Sequence, residues 1–189
     1  MLHYIFNKNI SFDQPGNFET AMFGMGCFWG AEKKFWELSG VVLTAVGYAG
    51  GIIKKPSYQQ VCSGTTGHNE VVKIVFNQNV LNFDDVLRVF WENHDPTQGN
   101  RQGNDIGSQY RSGAYFYSEK QKHSILKSMK SYEKQLSRHG FGKITTEVVK
   151  APVFYIAEDY HQQYLAKNPG GYCGLGGTGI NLTENALNY

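Results

Sequence analysis

The strongest constraint on the fold is the order in which helical and strand-like patterns alternate along the chain. Three segments repeat apolar side chains at the spacing of an amphipathic helix, namely 28–38, 83–91 and 125–136. Strand-like apolar runs surround them at 21–23, 41–46, 70–76, 114–117, 145–149 and 153–156. This order predicts an α+β fold, a two-layer α/β sandwich on a split βαβ (ferredoxin-like) core with a mixed, largely antiparallel sheet.

Length and composition favour one domain. A chain of 189 residues with 41% hydrophobic content can bury one sizeable core. We predict a core over about 18–166 and a glycine-rich tail over about 167–189 that wraps over it, after a short helical segment around 158–165. The stretches 47–67 and 94–109 are glycine-rich or polar and are predicted to be long loops, which often carry function.

Charge and motif content argue against several classes of protein. The net charge of +2 and the lack of a Lys/Arg cluster give no footprint for nucleic acid, and no apolar run is long enough to cross a membrane. The histidines and cysteines lack the spacing of zinc ligands, so no metal site is predicted. Three distant cysteines without a signal-peptide pattern fit reduced thiols or a catalytic disulfide, and a cytoplasmic location.

The segment Gly26-Cys27-Phe28-Trp29-Gly30 places a cysteine where a strand-like run gives way to a helix. Free N–H groups and the positive dipole end of the helix favour the thiolate, which is the nucleophilic form of cysteine. The glycines on both sides allow close approach of a substrate. We therefore expect an activated thiol beside an aromatic pocket. A buried, inert cysteine is the alternative interpretation.

The tail contains a literal G-x-G-x-x-G at 174–179. Dinucleotide binding through this motif needs a preceding strand, a following helix and an acidic residue about twenty positions on. Only ten residues follow it, and they show no helical period. We interpret the glycines as flexibility next to Cys173, which would let a tail cysteine reach a partner thiol.

Six blocks, in this order, resemble the A-type peptide methionine sulfoxide reductases. They cover 26–30, 47–51, 67–71, 91–96, 102–112 and 171–174. The resemblance extends from about Phe18 to Gly179. It implies reduction of the S epimer of methionine sulfoxide, free or in proteins, and a role in protein repair under oxidative stress.

The resemblance also implies roles for individual residues. Cys27 is the nucleophile, and Glu70 is the acid that protonates the sulfoxide oxygen, unless it is an ordinary solvent-exposed carboxylate at a strand edge. Tyr58 and Tyr110 donate hydrogen bonds to that oxygen. Cys173 resolves the cysteine sulfenic acid by forming a disulfide, which thioredoxin reduces, so no prosthetic group is expected.

Three further residues complete the implied site. Phe28 and Trp29 receive the substrate methyl group, although Phe28 also fits a helix face that packs in the core. Asp105 orients polar groups or water near the site, or else forms a turn. Members with three redox cysteines carry one more in the tail, where this chain has Asn181, so a two-cysteine cycle is expected. Cys62 is then structural or incidental.

Two other function classes remain open from the residues alone. A binding module that senses oxidised methionine would use the same pocket, with Cys27 as a regulatory thiol. A cysteine hydrolase would need a histidine base paired with Cys27, and six scattered histidines leave that arrangement open.

Overall fold

The structure is a computed structural model that describes residues 1–13 and 16–182. Its strands are β1 (Phe18–Met25), β2 (Val41–Ala49), β3 (Asn69–Asn77), β4 (Arg101–Gln102), β5 (Asp105–Ile106), β6 (Ser112–Phe116), β7 (Glu147–Lys150) and β8 (Tyr155–Ile156). Its helices are α1 (Phe28–Trp36), α2 (Tyr58–Cys62), α3 (Phe83–Glu92), α4 (Glu119–Arg138) and α5 (Tyr164–Lys167), with 3-10 turns at Ser108–Tyr110 and Asp159–His161. No helix within these ranges is long and apolar enough to cross a membrane.

Six strands form one sheet in the order β7-β6-β1-β3-β2-β8. Neighbouring strands are antiparallel except β6 and β7, which run parallel. In the centre, β1 pairs with β3 from Phe18 opposite Asn77 to Phe23 opposite Val72. The prediction of a mixed α/β protein with a largely antiparallel sheet is therefore confirmed.

The helices are fixed against one face of this sheet by aromatic side chains. Successive residues of a strand point to opposite faces, so Phe23 and Met22 of β1 enter different clusters. Phe23 stacks on Phe35 of α1 and on Phe90 of α3, with ring centroids 5.5 and 4.8 Å apart. Met22 packs with Tyr115 on the other face. Burial of the aromatic rings thus holds α1 at a fixed place beside the end of β1.

Several segment boundaries differ from the prediction. The loop predicted over 47–67 contains α2, which begins with a capping box between Ser57 and Gln60, and the loop over 94–109 contains the β4–β5 hairpin. The strands expected at 145–149 and 153–156 are the shorter β7 and β8. Helix α1 ends at Trp36 with Glu37 as its C-cap, so Leu38 lies beyond the helix. Elements of two to five residues are too short to show a period in the sequence.

The chain after α5 returns across the helices. The hydroxyl of Tyr132 donates to the carbonyl of Ile180 at 2.9 Å, and the N–H of Leu182 donates to Glu92 Oε1 at 2.7 Å. Leu182 is buried in the main core. Gly177 lies directly on the backbone of Glu92, where a Cβ has no room. Residues 183–189 of the predicted tail lie outside the described residues.

Candidate active site

Cys27 lies in the turn that joins β1 to α1. Gly26 adopts a φ of 88°, which favours glycine, and a Cβ at this position would collide with the side chain of Gln102. Cys27 is the N-cap of α1. The first N–H groups of a helix have no intrahelical partner, and here the Phe28 N–H donates to Glu70 Oε2 at 3.1 Å. This hydrogen bond, made by the residue after Cys27, holds the Glu70 carboxyl group of the central sheet beside the start of α1.

The surroundings of Cys27 oppose its ionisation. Burial raises the pKa of the thiol, and the charge of Glu70 raises it further. The backbone N–H of Trp29 favours the thiolate, but its effect is smaller, and Asp105 and Cys173 act against it. In the free protein lost solvation thus opposes the field of the helix, and activation of the thiol stays a prediction.

Glu70 is a buried carboxyl group on β3, opposite Tyr48 of β2 and only 2% exposed. Burial raises its pKa to about 8, against the lowering effect of the Phe28 N–H, while Asp105 adds to the rise. Most of the protein at neutral pH therefore carries a protonated Glu70. The alternative of a solvent-exposed strand-edge carboxylate is excluded by this burial.

Tyr58 and Tyr110 bring two hydroxyl groups to the same region from separate elements. Tyr58 begins α2, where its N–H donates to Glu158 Oε1 at 2.9 Å. Tyr110 ends the 3-10 turn before β6. Burial raises the pKa of both hydroxyls, and the charge of Glu70 contributes to both shifts. Both hydroxyls are therefore protonated hydrogen-bond donors, close enough to Glu70 for its charge to affect their pKa values.

Cys62 lies closer to this cluster than its place in a predicted loop suggested. It is the last residue of α2 and is exposed. Its thiol interacts with the hydroxyl of Tyr58, which begins the same helix. Burial raises the pKa of Cys62 despite this interaction, and the charge of Glu70 has the same direction. The third cysteine is therefore a neutral thiol beside one of the tyrosine donors.

Phe28 and Trp29 contribute differently to an aromatic cluster. Phe28 is 1% exposed and packs between Tyr48 and His161, with ring centroids 5.9 and 5.1 Å away. Trp29 is half-buried and donates its indole N–H to His161 Nδ1 at 3.0 Å. One face of the indole stacks on Tyr164 at 3.9 Å. Phe28 supports the cluster from inside, while Trp29 keeps part of its surface open to solvent.

Asp105 and Cys173 lie on segments that meet over the start of α1. The Asp105 carboxylate is 3.4 Å from the hydroxyl of Tyr172, the residue before Cys173. The sulfur of Cys173 is 3.0 Å from the point that a Cβ on Gly30 would occupy. Asp105 and Cys173 both raise the pKa of Cys27, so both act on its thiol. The residues singled out in the sequence are thus brought together at one end of the sheet.

Sequence reasoning missed three residues of this cluster. The hydroxyl of Tyr48 donates to Glu158 Oε2 at 2.9 Å, and His161 Nε2 lies 3.9 Å from the same oxygen. The His161 ring also packs against Tyr58, with centroids 4.5 Å apart. Tyr48 lies in the block 47–51 that supports the resemblance, whereas Glu158 and His161 belong to the predicted helical segment around 158–165 and show no further signal. Within the described ranges, no three potential metal ligands form a group.

A half-buried thiol beside a protonated carboxyl, with a second cysteine close by, is typical of a thiol-dependent oxidoreductase. The family model for peptide methionine sulfoxide reductase matches residues 19–182. The peptide methionine sulfoxide reductase MsrA of Rippkaea orientalis is 58% identical over 178 residues, which cover 94% of this chain and 82% of that protein. The chain belongs to this family, A type, and is a peptide methionine sulfoxide reductase. This assignment replaces the alternatives of a sensor module and a cysteine hydrolase.

Solved structures share the fold. Methionine sulfoxide reductase A of Corynebacterium diphtheriae has a TM-score of 0.82 at 43% identity, covering 90% of this chain and 83% of that one. Reduced Mxr1 of Saccharomyces cerevisiae has a TM-score of 0.77 at 34% identity, covering 90% and 95%. The same yeast protein in complex with Trx2 has a TM-score of 0.55 at 23% identity, covering 83% and 91%.

Proposed function

We propose that this enzyme reduces the S epimer of methionine sulfoxide, free or in proteins, through a cysteine sulfenic acid and an intramolecular disulfide. The observation that carries the proposal is the pairing of Cys27 with a buried, protonated Glu70 across the first N–H of α1. A sulfoxide oxygen is a poor leaving group until it is protonated. The site offers a sulfur nucleophile and a proton donor side by side.

Glu70 delivers its proton to the sulfoxide oxygen, while Tyr58 and Tyr110 donate hydrogen bonds as charge builds up there. The Cys27 sulfur attacks the substrate sulfur, and the sulfoxide oxygen leaves as water with the protons of Glu70 and of the thiol. Water then attacks the Cys27 sulfur, which breaks the S–S bond, releases the thioether and returns one proton to the Glu70 carboxylate. An oxygen atom ends on Cys27, so thiol and sulfoxide become sulfenic acid and thioether without net gain or loss of protons. Protonated Glu70 also no longer raises the pKa of Cys27, which assists the attack.

Phe28 and Trp29 form the wall that receives the substrate methyl group. The half-open Trp29 supplies the contact surface, and the buried Phe28 supports it. Aromatic rings and sulfur-bearing groups attract one another through dispersion and soft electrostatics. Asp105 closes the β4–β5 turn opposite Gln102, and its carboxylate lies near Tyr172, where it orients polar groups or water at the opening.

Cys173 resolves the sulfenic acid. Its thiol condenses with Cys27–SOH, releasing water and forming the disulfide, and thioredoxin supplies the two electrons that restore both thiols. Two observations support this step: the position of the Cys173 sulfur over Gly30, and the yeast relative that was solved with Trx2. The reductant is an external protein, so the cycle requires no prosthetic group or metal ion.

The Cys173→Ser variant should separate the two halves of the cycle. Without reductant it should still form one methionine per enzyme, because Cys27 is intact. With thioredoxin its steady-state rate should fall by at least about tenfold, because the sulfenic acid has no neighbouring thiol. The measurement is methionine released in single-turnover and steady-state assays. Equal thioredoxin-supported rates in variant and wild type would contradict the role of Cys173.

Peptide mapping of the oxidised wild type provides the control for this pairing. After one equivalent of substrate, the peptide with Cys173 should be linked to the peptide with Cys27. Cys62 should still react with an alkylating agent, because a two-cysteine cycle leaves it free. A disulfide that contains Cys62 would assign the resolving role to α2 instead.

Chiral analysis tests the proposed substrate. A racemic methionine sulfoxide peptide, incubated with enzyme and a dithiol, should leave the R epimer unchanged while the S epimer disappears. The reason is the family resemblance, since A-type and B-type enzymes take opposite epimers. Consumption of both epimers at similar rates would reject the stereochemical assignment.

We also propose the organisation and the setting of the enzyme. The order β6-β1-β3-β2, with α1 and α3 as connections, supports a split βαβ (ferredoxin-like) core. A single domain with a core over 18–166 and a tail from 167 is supported by the packing of that tail on α3 and α4. Three unpaired thiols fit the reducing cytoplasm, where thioredoxin is available.

A further inference from the structure

Asn69 precedes the acid Glu70 on β3 but faces the other side of the sheet. Its side chain is fully buried, and Val71, two residues on, packs with Tyr115 on the side away from α1. We call this side the rear face. Glu70, by contrast, bonds to the N–H of Phe28 at the start of α1. The proposed reaction gives Asn69 no task, although a buried amide is costly unless it is hydrogen-bonded.

The nitrogen of the Asn69 amide makes two hydrogen bonds. Nδ2 donates to the backbone carbonyl of Arg111 at 3.1 Å and to the hydroxyl of Tyr115 at 2.9 Å. A carbonyl only accepts, so the nitrogen must face it, and Oδ1 has no hydrogen-bond partner among the described residues. Gly24 of β1 leaves room for this amide, since a Cβ there would collide with Nδ2. Both polar contacts of the side chain are therefore donations from one nitrogen.

Arg111 fixes the turn that carries Tyr110. Its backbone carbonyl accepts from Asn69, and its Nη1 donates at 2.8 Å to the carbonyl of Ser108, the first residue of the 3-10 turn. Its Nε donates to Glu147 Oε1 of β7 at 3.0 Å. The guanidinium thus holds the first residue of the turn, and the Asn69 amide holds the residue that follows the turn.

Tyr115 and Glu147 connect the amide to an ion pair. The hydroxyl of Tyr115 accepts from Asn69 and donates to Glu147 Oε1. The same oxygen forms the ion pair with Arg111. Burial raises the pKa of Tyr115, so this hydroxyl keeps its proton at neutral pH. Hydrogen bonds to ionised groups are stronger than bonds between neutral groups, and bonds in a chain reinforce one another.

We propose that Asn69 is a positioning residue for the reaction, which holds the Tyr110 hydroxyl at a fixed place relative to Glu70. The inference rests on the proposed function. Glu70 directly follows Asn69 in the chain, and Tyr110 directly precedes Arg111. The hydrogen bond between Asn69 and Arg111 therefore sets the spacing of the two proton donors. A hydroxyl stabilises charge on an oxygen only when it points at that oxygen, so a small shift lowers the rate more than it weakens binding.

The Asn69→Leu variant tests this role, because leucine fills a similar space without an N–H group in its side chain. We expect its kcat for a methionine sulfoxide peptide to fall about tenfold while KM changes less than about threefold. The matched control is Val71→Ala, which removes rear-face packing on the other side of Glu70 and none of these hydrogen bonds. That variant should lose stability but keep kcat within about threefold of wild type. Equal kcat values in the two variants would overturn the proposal.

The same substitution in a Tyr110→Phe background tests whether Asn69 acts through the Tyr110 hydroxyl. Phenylalanine has no hydroxyl to misplace, so the added Asn69→Leu should then lower kcat less than about twofold. Equal losses in both backgrounds would mean that Asn69 acts through another group, and would overturn the proposal.

The Tyr115→Phe variant covers the case in which Asn69→Leu folds poorly. It keeps the buried ring and removes only the hydroxyl that anchors the amide. We expect kcat to fall about threefold when Tyr110 is present and to stay unchanged in the Tyr110→Phe background. An unchanged kcat in the presence of Tyr110 would count against the proposal in the same way.

A fluorine label provides a readout that needs no substrate. In protein labelled with fluorotyrosine, the fluorine NMR signal of Tyr110 is identified by its absence from the Tyr110→Phe variant. Asn69→Leu should shift or broaden this signal, whereas Val71→Ala should leave it at its wild-type position. An unmoved signal in Asn69→Leu would overturn the proposal. If the signal moves but the wild type reduces no sulfoxide, the proposed function fails and not this contact.

Discussion

The Cys27→Ser variant is expected to lose sulfoxide reduction with either a dithiol or thioredoxin as reductant. A serine hydroxyl is neither ionised at neutral pH nor able to become a sulfenic acid, so the first chemical step is missing. The loss should be at least roughly a thousandfold, the scale seen when a nucleophile is removed. The measurement is methionine formed from a sulfoxide peptide over several hours.

The matched control is Cys62→Ser, which changes the other thiol near the tyrosine hydroxyls. That variant should keep the wild-type rate within about threefold, because a hydroxyl at this exposed position still interacts with Tyr58. Thermal unfolding of both variants should verify that the fold is intact. Turnover by Cys27→Ser would show that a different thiol attacks the sulfoxide.

Long periodic segments explain why so much of the fold was predictable. Helices α3 and α4 bury one face over many residues, and β1, β2 and β3 carry continuous apolar runs. Their patterns repeat often enough to identify the element. Helix α2 and the β4–β5 hairpin are too short for that, although they carry Tyr58 and Asp105. These short elements deliver two of the side chains at the site, whereas the predicted elements α1 and β3 deliver Cys27 and Glu70.

The charge states of the site could not be predicted in the same way. The position of Cys27 at a helix start follows from the local sequence, and that position alone favours a thiolate. Burial opposes this effect, as does Glu70 when it is ionised, and both depend on how β3 packs beside α1. His161 was missed for a related reason, since 132 positions separate it from Trp29. Electrostatics and distant contacts are tertiary properties that a pattern of neighbouring residues does not contain.

The protonation state of Glu70 affects both the proton donor, which is Glu70 itself, and the nucleophile Cys27. When its carboxyl is protonated it is a proton donor, and it no longer raises the pKa of Cys27 through its charge. When it is ionised, the acid is lost and the thiolate becomes harder to form. Ionisation of Glu70 therefore lowers the rate through both effects. The pH at which Glu70 ionises should therefore limit activity on the alkaline side.

The Glu70→Gln variant is expected to reduce methionine sulfoxide about a hundredfold more slowly than wild type at neutral pH, the usual scale for losing a general acid. Glutamine keeps an oxygen that accepts from the Phe28 N–H, so substrate binding and fold should change little. The wild-type single-turnover rate should fall as pH rises through the Glu70 pKa of about 8. In the glutamine variant this fall should be absent, because the titrating group is gone.

Stability measurements supply a second, independent readout of the same group. Burial raises the Glu70 pKa from 4.5 to about 8, so in this pH window the unfolded chain has released a proton that the folded protein still holds. The contribution of Glu70 to the free energy of unfolding is therefore fully present below about pH 4.5 and is lost as pH rises through about 8. Glu70→Gln should remove this part of the pH dependence, whereas Glu37→Gln, at an exposed carboxylate after α1, should retain it. A variant with wild-type rates and the wild-type pH dependence of stability would assign the acid to another residue, and the tyrosines would be the next to test.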